Sequence, residues 1–402
     1  MGSAPLRLAI ILIGVAIALN YIDRGAISVA APLIKGELGL SNTDYGVIVS
    51  GFYWTYVPAL ALAGWLADRM SVHKLMAIGV GIWALATAGM GLAGGMVSLI
   101  ALRLLMGLGE GVAFPCGSKL IAKVPEEARG LANVALSGGI ALGPLIGALA
   151  GGLIMAQLGW RAMFVIFGLG TLLWLLPWAT SRRGFEAVPT GSAAENAAPP
   201  VAYPRLLLTR QLWGMCALHF TGTYVLYFFL AWLPLWLVKA RGYSLVDMTL
   251  LTSAFYLMQA LGGALGGWAA DRAIRAGKPS SGVRQRQVMF CSLVCIAGLI
   301  VLPRTQGWEQ LLACIVVTGF CYGPMPNLLF AMGQTIAGPA SAGRWVGLQA
   351  SIGNLAGITG PVITGVIVDQ MGYGPTFVLT AAIAAAGVIG WLILVRRIAP
   401  AF

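Results

Sequence analysis

Residues 75–102 form a run of 28 consecutive positions without Asp, Glu, Lys or Arg. One bilayer crossing needs about 20 predominantly apolar residues, so this run exceeds a single crossing. Similar runs recur along a chain that is 59% hydrophobic and 9% charged, whereas ordinary soluble domains are about 25% charged. Too few charges remain to cover a water-facing surface. The pattern excludes a soluble enzyme and indicates a protein whose solvent is lipid.

Apolar stretches between charged residues and Pro or Gly breaks predict twelve membrane-spanning helices. The predicted helices cover residues 6–34, 43–67, 73–94, 97–122, 130–157, 162–180, 208–238, 246–270, 287–303, 308–335, 345–369 and 374–395. Six precede and six follow the one long polar segment. The sequence therefore predicts an all-α membrane protein with an N-terminal bundle over 1–180, a cytoplasmic linker over 181–207 and a C-terminal bundle over 208–402.

An internal repeat supports the division into two halves. Residues 63–69 read Ala-Gly-Trp-Leu-Ala-Asp-Arg, and residues 266–272 read Gly-Gly-Trp-Ala-Ala-Asp-Arg, at an offset of 203 positions. Each copy ends the second predicted helix of its half. A Gly-Pro pair also recurs in the fifth helix of each half, at 143–144 and 360–361. Two parallel six-helix repeats around a site near the membrane midplane are a recurring transporter plan.

The net charge of +12 has two competing explanations, because a basic chain can bind nucleic acid or be oriented in a membrane by its charges. With a cytoplasmic N-terminus, about 18 Lys and Arg residues fall in loops on that side and about five on the other. This asymmetry predicts a multi-pass protein of the inner (plasma) membrane with both termini in the cytoplasm. The excess charge then sets orientation, and no nucleic-acid partner is expected.

Four formally charged residues remain deep inside predicted helices: Asp23 and Arg24 in the first, Arg103 and Glu110 in the fourth. A charge at bilayer depth costs at least about 2.5–3.5 kcal/mol on insertion scales, so such residues usually face a cavity or a partner. The four sum to zero and lie entirely in the first half. Two interpretations stay open: buried ion pairs that only join helices, or a transport site.

The spacing of these charges favours a site. Arg103 and Glu110 are seven positions apart, on one stripe of their helix and about 10 Å apart along its axis. The neighbours Asp23 and Arg24 point about 100° apart, so one is expected to face the cavity and the other an adjacent helix. A guanidinium offers a bidentate fork to a carboxylate, which suits a small organic anion. When an Asp or Glu takes up a proton, its Arg is released to the anion, which couples the two movements.

Neutral groups are expected to complete the site. Tyr21, Tyr53 and Tyr56 can donate a hydrogen bond to a carboxylate and pack on a carbon skeleton, although aromatic residues in membrane helices are often packing or interface anchors. The second half has no formal charge deep in its helices, so its substrate contacts must be neutral. The candidates chosen there are Tyr224, Asn327 and Asn354. Further candidates are His219, Thr223, Tyr227, Gln259, Tyr322 and Ser351.

Each of the second-half candidates also has a plain structural interpretation as a helix-to-helix hydrogen bond. For His219, a proton-relay role and a structural role both stay open, because a histidine can titrate near neutral pH.

Residues 64–74 resemble the loop signature of the major facilitator superfamily between its second and third helices: Gly, three residues, Asp-Arg and then basic residues. Ser71 and His73 depart from it, standing where Gly and a basic residue are commoner. In that family the loop stabilises the outward-open state, so the resemblance implies a conformational gate. The gate residues it implies are Gly64, Asp68 and Arg69, with Asp271 and Arg272 in the repeat.

Three further motifs resemble the anion:cation symporter family, which includes bacterial galactonate- and hexuronate-type transporters and, more distantly, vesicular glutamate transporters and sialin. They lie at residues 20–24, 50–56 and 103–115. The resemblance implies roles position by position. Asp23 and Glu110 match proton-carrying carboxylates, Arg24 and Tyr56 match ligands of the substrate carboxylate, and Arg103 matches the arginine that couples the two.

The sequence thus predicts a monomeric proton-coupled symporter of a sugar acid or related hydroxy-carboxylate that works by alternating access, with the proton as coupling ion and no cofactor or metal. An electroneutral organic anion exchanger or a drug/proton antiporter is the alternative. A cationic-drug exporter should offer carboxylates without two competing arginines. A membrane enzyme is not expected, because the chain has no HExxH or GxSxG motif.

Overall fold

Hydrogen bonds that the backbone cannot make to lipid must be made within the chain, and helices satisfy that requirement one segment at a time. The computed structural model describes residues 4–121, 126–181, 201–338, 341–395 and 397–402. Within those ranges every regular element is helical.

The helices before the linker number seven in the described part of the chain. They are α1 (Ala4–Leu38), α2 (Asn42–Arg69), α3 (Val72–Met90), α4 (Met96–Glu110), α5 (Ala113–Ile121), α6 (Glu126–Leu173) and α7 (Leu175–Thr180).

Eight α-helices follow residue 200 in the described ranges. They are α8 (Tyr203–Leu207), α9 (Arg210–Lys239), α10 (Leu245–Arg275), α11 (Ser280–Val301), α12 (Gly307–Tyr322), α13 (Met325–Ala337), α14 (Ala342–Met371) and α15 (Gly374–Leu394).

Eleven stretches of the described chain are long and apolar enough to cross a membrane. One of them, Gly138–Thr180, has 43 residues. A straight helix of that length would span about 65 Å, roughly twice the hydrocarbon thickness of a bilayer. It is interrupted at Gly159, whose φ of 80° lies in the left-handed region that glycine tolerates best. The stretch therefore makes two crossings, and the all-α prediction with twelve crossings is confirmed.

The fourth crossing of each half is broken, which the predicted helices 97–122 and 308–335 did not anticipate. In the first half, α4 ends at Glu110 and α5 begins at Ala113; in the second, α12 ends at Tyr322 and α13 begins at Met325. Pro115 and Pro324 lie at the two breaks and have no N–H to donate to the carbonyl one turn earlier. The first break leaves the Glu110 side chain at the end of α4.

The internal repeat extends to the start of the second helix of each half. At α2, the Ser41 side chain accepts a hydrogen bond from the Asp44 N–H at 2.9 Å, and the Asp44 carboxylate accepts one from the Ser41 N–H at 3.0 Å. At α10, Ser244 and Asp247 make the same reciprocal bonds at 3.1 and 3.3 Å. Such a capping box satisfies N–H groups that a helix start leaves unpaired. Both boxes share the 203-residue offset of the sequence repeat.

The contacts of the chain group it into two compact units. The first unit comprises residues 1–192 with 230–253, and the second comprises 193–229 with 254–402. Inside the first unit, the Tyr45 hydroxyl of α2 donates to the Ala231 carbonyl at 2.8 Å, and its ring meets Trp232 edge-on at 5.3 Å. Most of the predicted linker, at 182–200, lies outside the described residues, so the bounds of the three predicted domains stay predictions.

Glycine allows the close helix contacts of the first unit. A Cβ built on Gly107 of α4 would lie 2.3 Å from the Phe52 carbonyl oxygen of α2, so only a hydrogen fits there. Beside it, the Thr55 hydroxyl donates to the Leu104 carbonyl at 2.7 Å. Small residues at such positions let membrane helices approach closely where burial from water supplies no attraction. The contact brings α4 against the α2 segment that carries Phe52 and Tyr56.

The interface of α3 with α6 gives a test of this packing. A Cβ on Gly168 would lie 2.4 Å from the Ala88 nitrogen and 2.5 Å from the Ala84 carbonyl oxygen, whereas a Cβ on Gly170 would meet nothing within 4 Å. We predict that Gly168→Ala lowers the melting temperature of the detergent-purified protein, because overpacking against backbone costs about 1–3 kcal/mol. Gly170→Ala, two positions along the same helix, should leave it unchanged or slightly raised. Equal melting temperatures for the two variants would contradict this interface.

Candidate functional site

A buried ion pair joins α1 to the end of α4. Arg24 donates from Nε at 3.1 Å and from Nη2 at 2.8 Å to the same oxygen, Oε2 of Glu110. Its Nη2 also donates to Oδ1 of Asn20, one turn earlier on α1, at 2.9 Å. Arg24 is 3% exposed and Glu110 is fully buried. Two of the four predicted membrane charges are therefore direct partners.

Three aromatic rings surround the Arg24 guanidinium. Its Cζ lies 4.8 Å from the ring centre of Tyr21, 4.7 Å from that of Phe52 and 4.6 Å from that of Tyr56. These distances are within the range of cation–π attraction, about 6 Å. The structure thus brings the predicted Tyr21 and Tyr56 to the predicted arginine. Tyr53 is buried beside them, edge-on to Phe52 at 4.9 Å and to Tyr56 at 6.4 Å.

Phe52 and Asn20 are site residues that the sequence analysis missed. Phe52 lies between the two guanidiniums, because Cζ of Arg103 is 4.8 Å from its ring centre. Both residues stand inside the recognised segments 20–24 and 50–56. Their position within those motifs could have identified them. The candidates were selected by charge and by hydroxyl groups, and neither Phe nor Asn carries either.

Arg103 is a buried cation that forms no ion pair with a carboxylate in the described part of the chain. It is 1% exposed, donates from Nη2 to the Val49 carbonyl at 3.3 Å, and has Nη1 3.6 Å from the Met106 sulfur. Its Nε is buried and makes no hydrogen bond to any residue that the structure describes. Among the described residues, no carboxylate oxygen forms an ion pair with its guanidinium within 4.0 Å. Its positive charge is therefore uncompensated by direct contact.

Asp23 points away from this cluster. Its Oδ2 accepts a hydrogen bond from the Thr171 hydroxyl of α6 at 3.0 Å, and Trp83 of α3 lies beside the same carboxyl. Its Oδ1 is buried and has no hydrogen-bond partner in the described part of the chain. Asp23 thus faces α3 and α6, while Arg24 faces α2 and α4. This arrangement matches the expectation that the two neighbours point in different directions.

The three residues chosen in the second half do not contact one another in the described structure. Tyr224 is buried with its ring against Gly360 and its hydroxyl beside the Thr364 side chain. Asn327 is exposed on α13. Asn354 accepts a hydrogen bond from the Tyr227 hydroxyl at 2.7 Å. The structure therefore pairs Asn354 with Tyr227, which is also among the candidates, and the substrate-binding roles of Tyr224, Asn327 and Asn354 stay predictions.

The predicted gate residues lie at the ends of α2 and α10. Arg69 stacks on Trp65, its Cζ 4.0 Å from the ring centre, and Arg272 lies 5.4 Å from the ring centre of Trp268. Asp271 is exposed, and Gly64 has open space where a Cβ would stand. The Asp68 side chain lies outside the described residues. The repeated Trp-Arg contact is found in both halves, while the gating role of these five residues stays a prediction.

Metal ligands would have to come from clusters of His, Cys, Asp or Glu, and no group of three or more such side chains with suitable geometry occurs in the described ranges. The site is instead made of two guanidiniums, one carboxylate and a set of rings. Such groups can bind an anion and hold a proton.

Comparison with known proteins gives the context for this geometry. The family model described as Major Facilitator Superfamily matches residues 13–303 and, in a second match, 248–401. The chain is 29% identical to the hexuronate transporter of Bacillus subtilis, over 98% of this chain and 95% of that protein. It is also 29% identical to the probable sulfoacetate transporter SauU of Cupriavidus necator, over 93% of this chain and 90% of that one.

The fold is also found in a solved structure. A bacterial homolog of the human lysosomal transporter Spinster, in an inward-facing and unoccupied conformation, superimposes with a TM-score of 0.84 over 98% of each chain. Its sequence identity of 19% makes this a likeness of fold alone. The superfamily resemblance drawn from residues 64–74 is confirmed, as is the resemblance to sugar-acid transporters. The chain belongs to the Major Facilitator Superfamily, a family of membrane transporters and not of enzymes.

Proposed function

We propose that this protein is a symporter that moves a small organic anion, a sugar acid or related hydroxy-carboxylate, together with protons by alternating access. The names of the two relatives, for hexuronate and sulfoacetate, support small acids as the substrate class. The observation that carries the proposal is the buried Arg24–Glu110 pair beside a second buried guanidinium, Arg103, that no described carboxylate neutralises.

The charges of the cluster favour an anion. With Glu110 ionised, its charge offsets that of Arg24, and the Arg103 charge remains. A buried charge without a partner carries a desolvation penalty of several kcal/mol. A substrate carboxylate that reaches Arg103 would relieve that penalty, and the rings of Phe52 and Tyr56 would pack on its carbon skeleton. Two buried guanidiniums count against a cationic drug as the substrate.

The unequal environment of the Glu110 oxygens suggests how a proton would be coupled. Oε2 takes both hydrogen bonds from Arg24, whereas Oε1 accepts none within hydrogen-bonding geometry from the described residues, with the Asn20 side chain beside the carboxyl. A proton on Oε1 removes the negative charge and weakens the hold on Arg24, since charge-assisted hydrogen bonds are roughly twice as strong as neutral ones. The released Arg24 fork is then free for a substrate carboxylate. Proton and anion are therefore bound together, as symport requires.

Asp23 is proposed as a second proton carrier, because its carboxyl is buried with one oxygen unpartnered in the described structure. It would act on the site from the α3 and α6 side and not by contact with substrate. We further propose an inner-membrane location with both termini cytoplasmic, from the loop charges, and a working monomer, because the charged cluster comes from one chain. No cofactor besides the proton is proposed.

Removing the Glu110 charge tests the coupling. In proteoliposomes with an imposed pH gradient, the wild type should accumulate labelled D-glucuronate, D-galactonate or sulfoacetate. Glu110→Gln keeps the shape of the side chain but cannot release a proton, so it should lose gradient-driven accumulation while exchange of internal for external substrate continues. Glu37→Gln is the matched control, because it removes an exposed carboxylate paired with Arg161 at 2.9 Å.

Full accumulation by Glu110→Gln would overturn its role in coupling. A wild type that exchanges these acids but does not respond to the pH gradient would indicate the electroneutral exchanger. Gradient-driven efflux of a cationic dye, with no acid transport, would indicate the drug/proton antiporter.

The unequal pairing of the two arginines gives a prediction on stability. Arg103→Met removes an uncompensated buried cation and should raise the melting temperature of the ligand-free protein. Arg24→Met leaves Glu110 buried without its partner and should lower it, because breaking a buried pair costs about 3–5 kcal/mol. Both variants should lose the rise in melting temperature that D-glucuronate gives the wild type. Destabilisation of Arg103→Met to the level of Arg24→Met would contradict the charge assignment.

A further inference from the structure

A chain of hydrogen bonds between buried polar side chains runs from α14 to α9 in the second unit. Trp345 Nε1 lies 3.1 Å from Oε1 of Gln349, and Nε2 of Gln349 lies 3.2 Å from both the Leu329 carbonyl oxygen and Nδ1 of His219. Trp345 and Gln349 are fully buried, and His219 is 7% exposed. The residues that carry the proposed proton coupling all lie in the first unit, so this cluster needs its own explanation.

The chemistry of the partners fixes the direction of each bond. An indole nitrogen only donates, so the atom of Gln349 that faces Trp345 is its carbonyl oxygen and the amide orientation is determined. The amide nitrogen then donates one hydrogen to the Leu329 carbonyl and the other to Nδ1 of His219. A nitrogen that accepts a hydrogen bond carries no proton. The neutral His219 ring is therefore held with its proton on Nε2.

Two glycines make room for this arrangement. A Cβ on Gly353 would lie 2.5 Å from Cδ2 of His219, and a Cβ on Gly333 would lie 2.4 Å from Oε1 of Gln349. Phe330 meets the imidazole edge-on, with ring centres 5.4 Å apart. The ring is thus confined by a helix backbone, an aromatic edge and a hydrogen bond. Its orientation as well as its tautomer is set by its neighbours.

The Nε2–H of His219 has no acceptor among the described residues. His219 keeps 7% of its surface exposed, and the hydrogen bond at Nδ1 fixes the proton on Nε2, so this N–H is left to bond with a group outside the described residues. A proton relay through the ring is disfavoured, because the Gln349 amide opposite Nδ1 does not exchange protons in the way a carboxyl or imidazole does. The arrangement instead presents a neutral hydrogen-bond donor of fixed direction.

We infer that His219 is a substrate-binding residue of the second unit, whose Nε2–H donates a hydrogen bond to a hydroxyl or carboxylate oxygen of the transported acid. Gln349 is a positioning residue that holds His219 in this tautomer. The inference rests on the proposed function. It gives the second half, which has no formal charge deep in its helices, a polar contact that favours an oxygen-rich acid.

Nitrogen NMR tests the tautomer independently of transport. The chain has two histidines, His73 and His219, so histidine-selective 15N labelling gives two sets of ring signals. A His73→Gln variant assigns them by removing one set. At neutral pH the His219 signals should be those of a protonated Nε2 and an unprotonated Nδ1, and Gln349→Leu should shift them toward a mixture of tautomers. A wild-type His219 protonated on Nδ1, or on both nitrogens, would overturn the inference.

Titration of the same sample with D-glucuronate, D-galactonate or sulfoacetate tests binding. The Nε2 signal of His219 should move on saturation and Nδ1 should move less. In proteoliposome exchange, His219→Phe keeps a ring but loses the donor and should raise KM about tenfold, the effect of one lost hydrogen bond. His219→Gln, which returns an N–H near the Nε2 position, should recover most of the affinity, and Gln349→Leu should give an intermediate KM.

The outcomes separate this inference from the proposed function. If the wild type binds none of these acids, the proposed function fails and the inference falls with it. If the wild type binds an acid but the His219 signals do not move, or His219→Phe keeps the wild-type KM, the inference alone is overturned.

Discussion

The ion pair between Arg24 and Glu110 is the interaction on which the first unit depends. An unpaired charge at membrane depth is costly, so this ion pair favours contact between α1 and the end of α4. Gly107 allows the approach of α4 to α2, and the break after Glu110 leaves the carboxyl at a helix end. Three rings then enclose the Arg24 guanidinium. The contact of α1 with α4, the rings around Arg24 and the proposed coupling therefore all involve this one buried pair.

The two units divide the proposed work by charge. The first unit holds all four membrane charges, among them an Arg103 guanidinium with no carboxylate contact among the described residues. The second unit offers neutral hydrogen-bonding groups, among them His219, whose tautomer is set by its hydrogen bond with Gln349. Such a division suits an anion with many hydroxyl groups.

The sequence predicted the features that depend on the contrast between charged and apolar residues in a membrane protein. Charges inside apolar runs, the 203-residue repeat and the helix count needed only composition and spacing, and Arg24, Tyr21 and Tyr56 do meet in the structure. It could not predict which way a side chain points around an unpatterned apolar helix. Phe52 was therefore missed, the hydrogen bond between Tyr227 and Asn354 was not predicted, and the broken fourth crossings were predicted as continuous helices. The orientation of His219 depends on partners 110 or more residues away, which spacing along one helix does not reveal.

The proposed symport requires that an anion and a proton enter together at the Arg24–Glu110 ion pair. The most direct measurement records the internal pH of proteoliposomes with a trapped fluorescent indicator while D-glucuronate, D-galactonate or sulfoacetate is added outside, with no gradient imposed. We predict a saturable internal acidification that follows uptake of the transported acid. Uptake of the acid with no accompanying proton movement would contradict it.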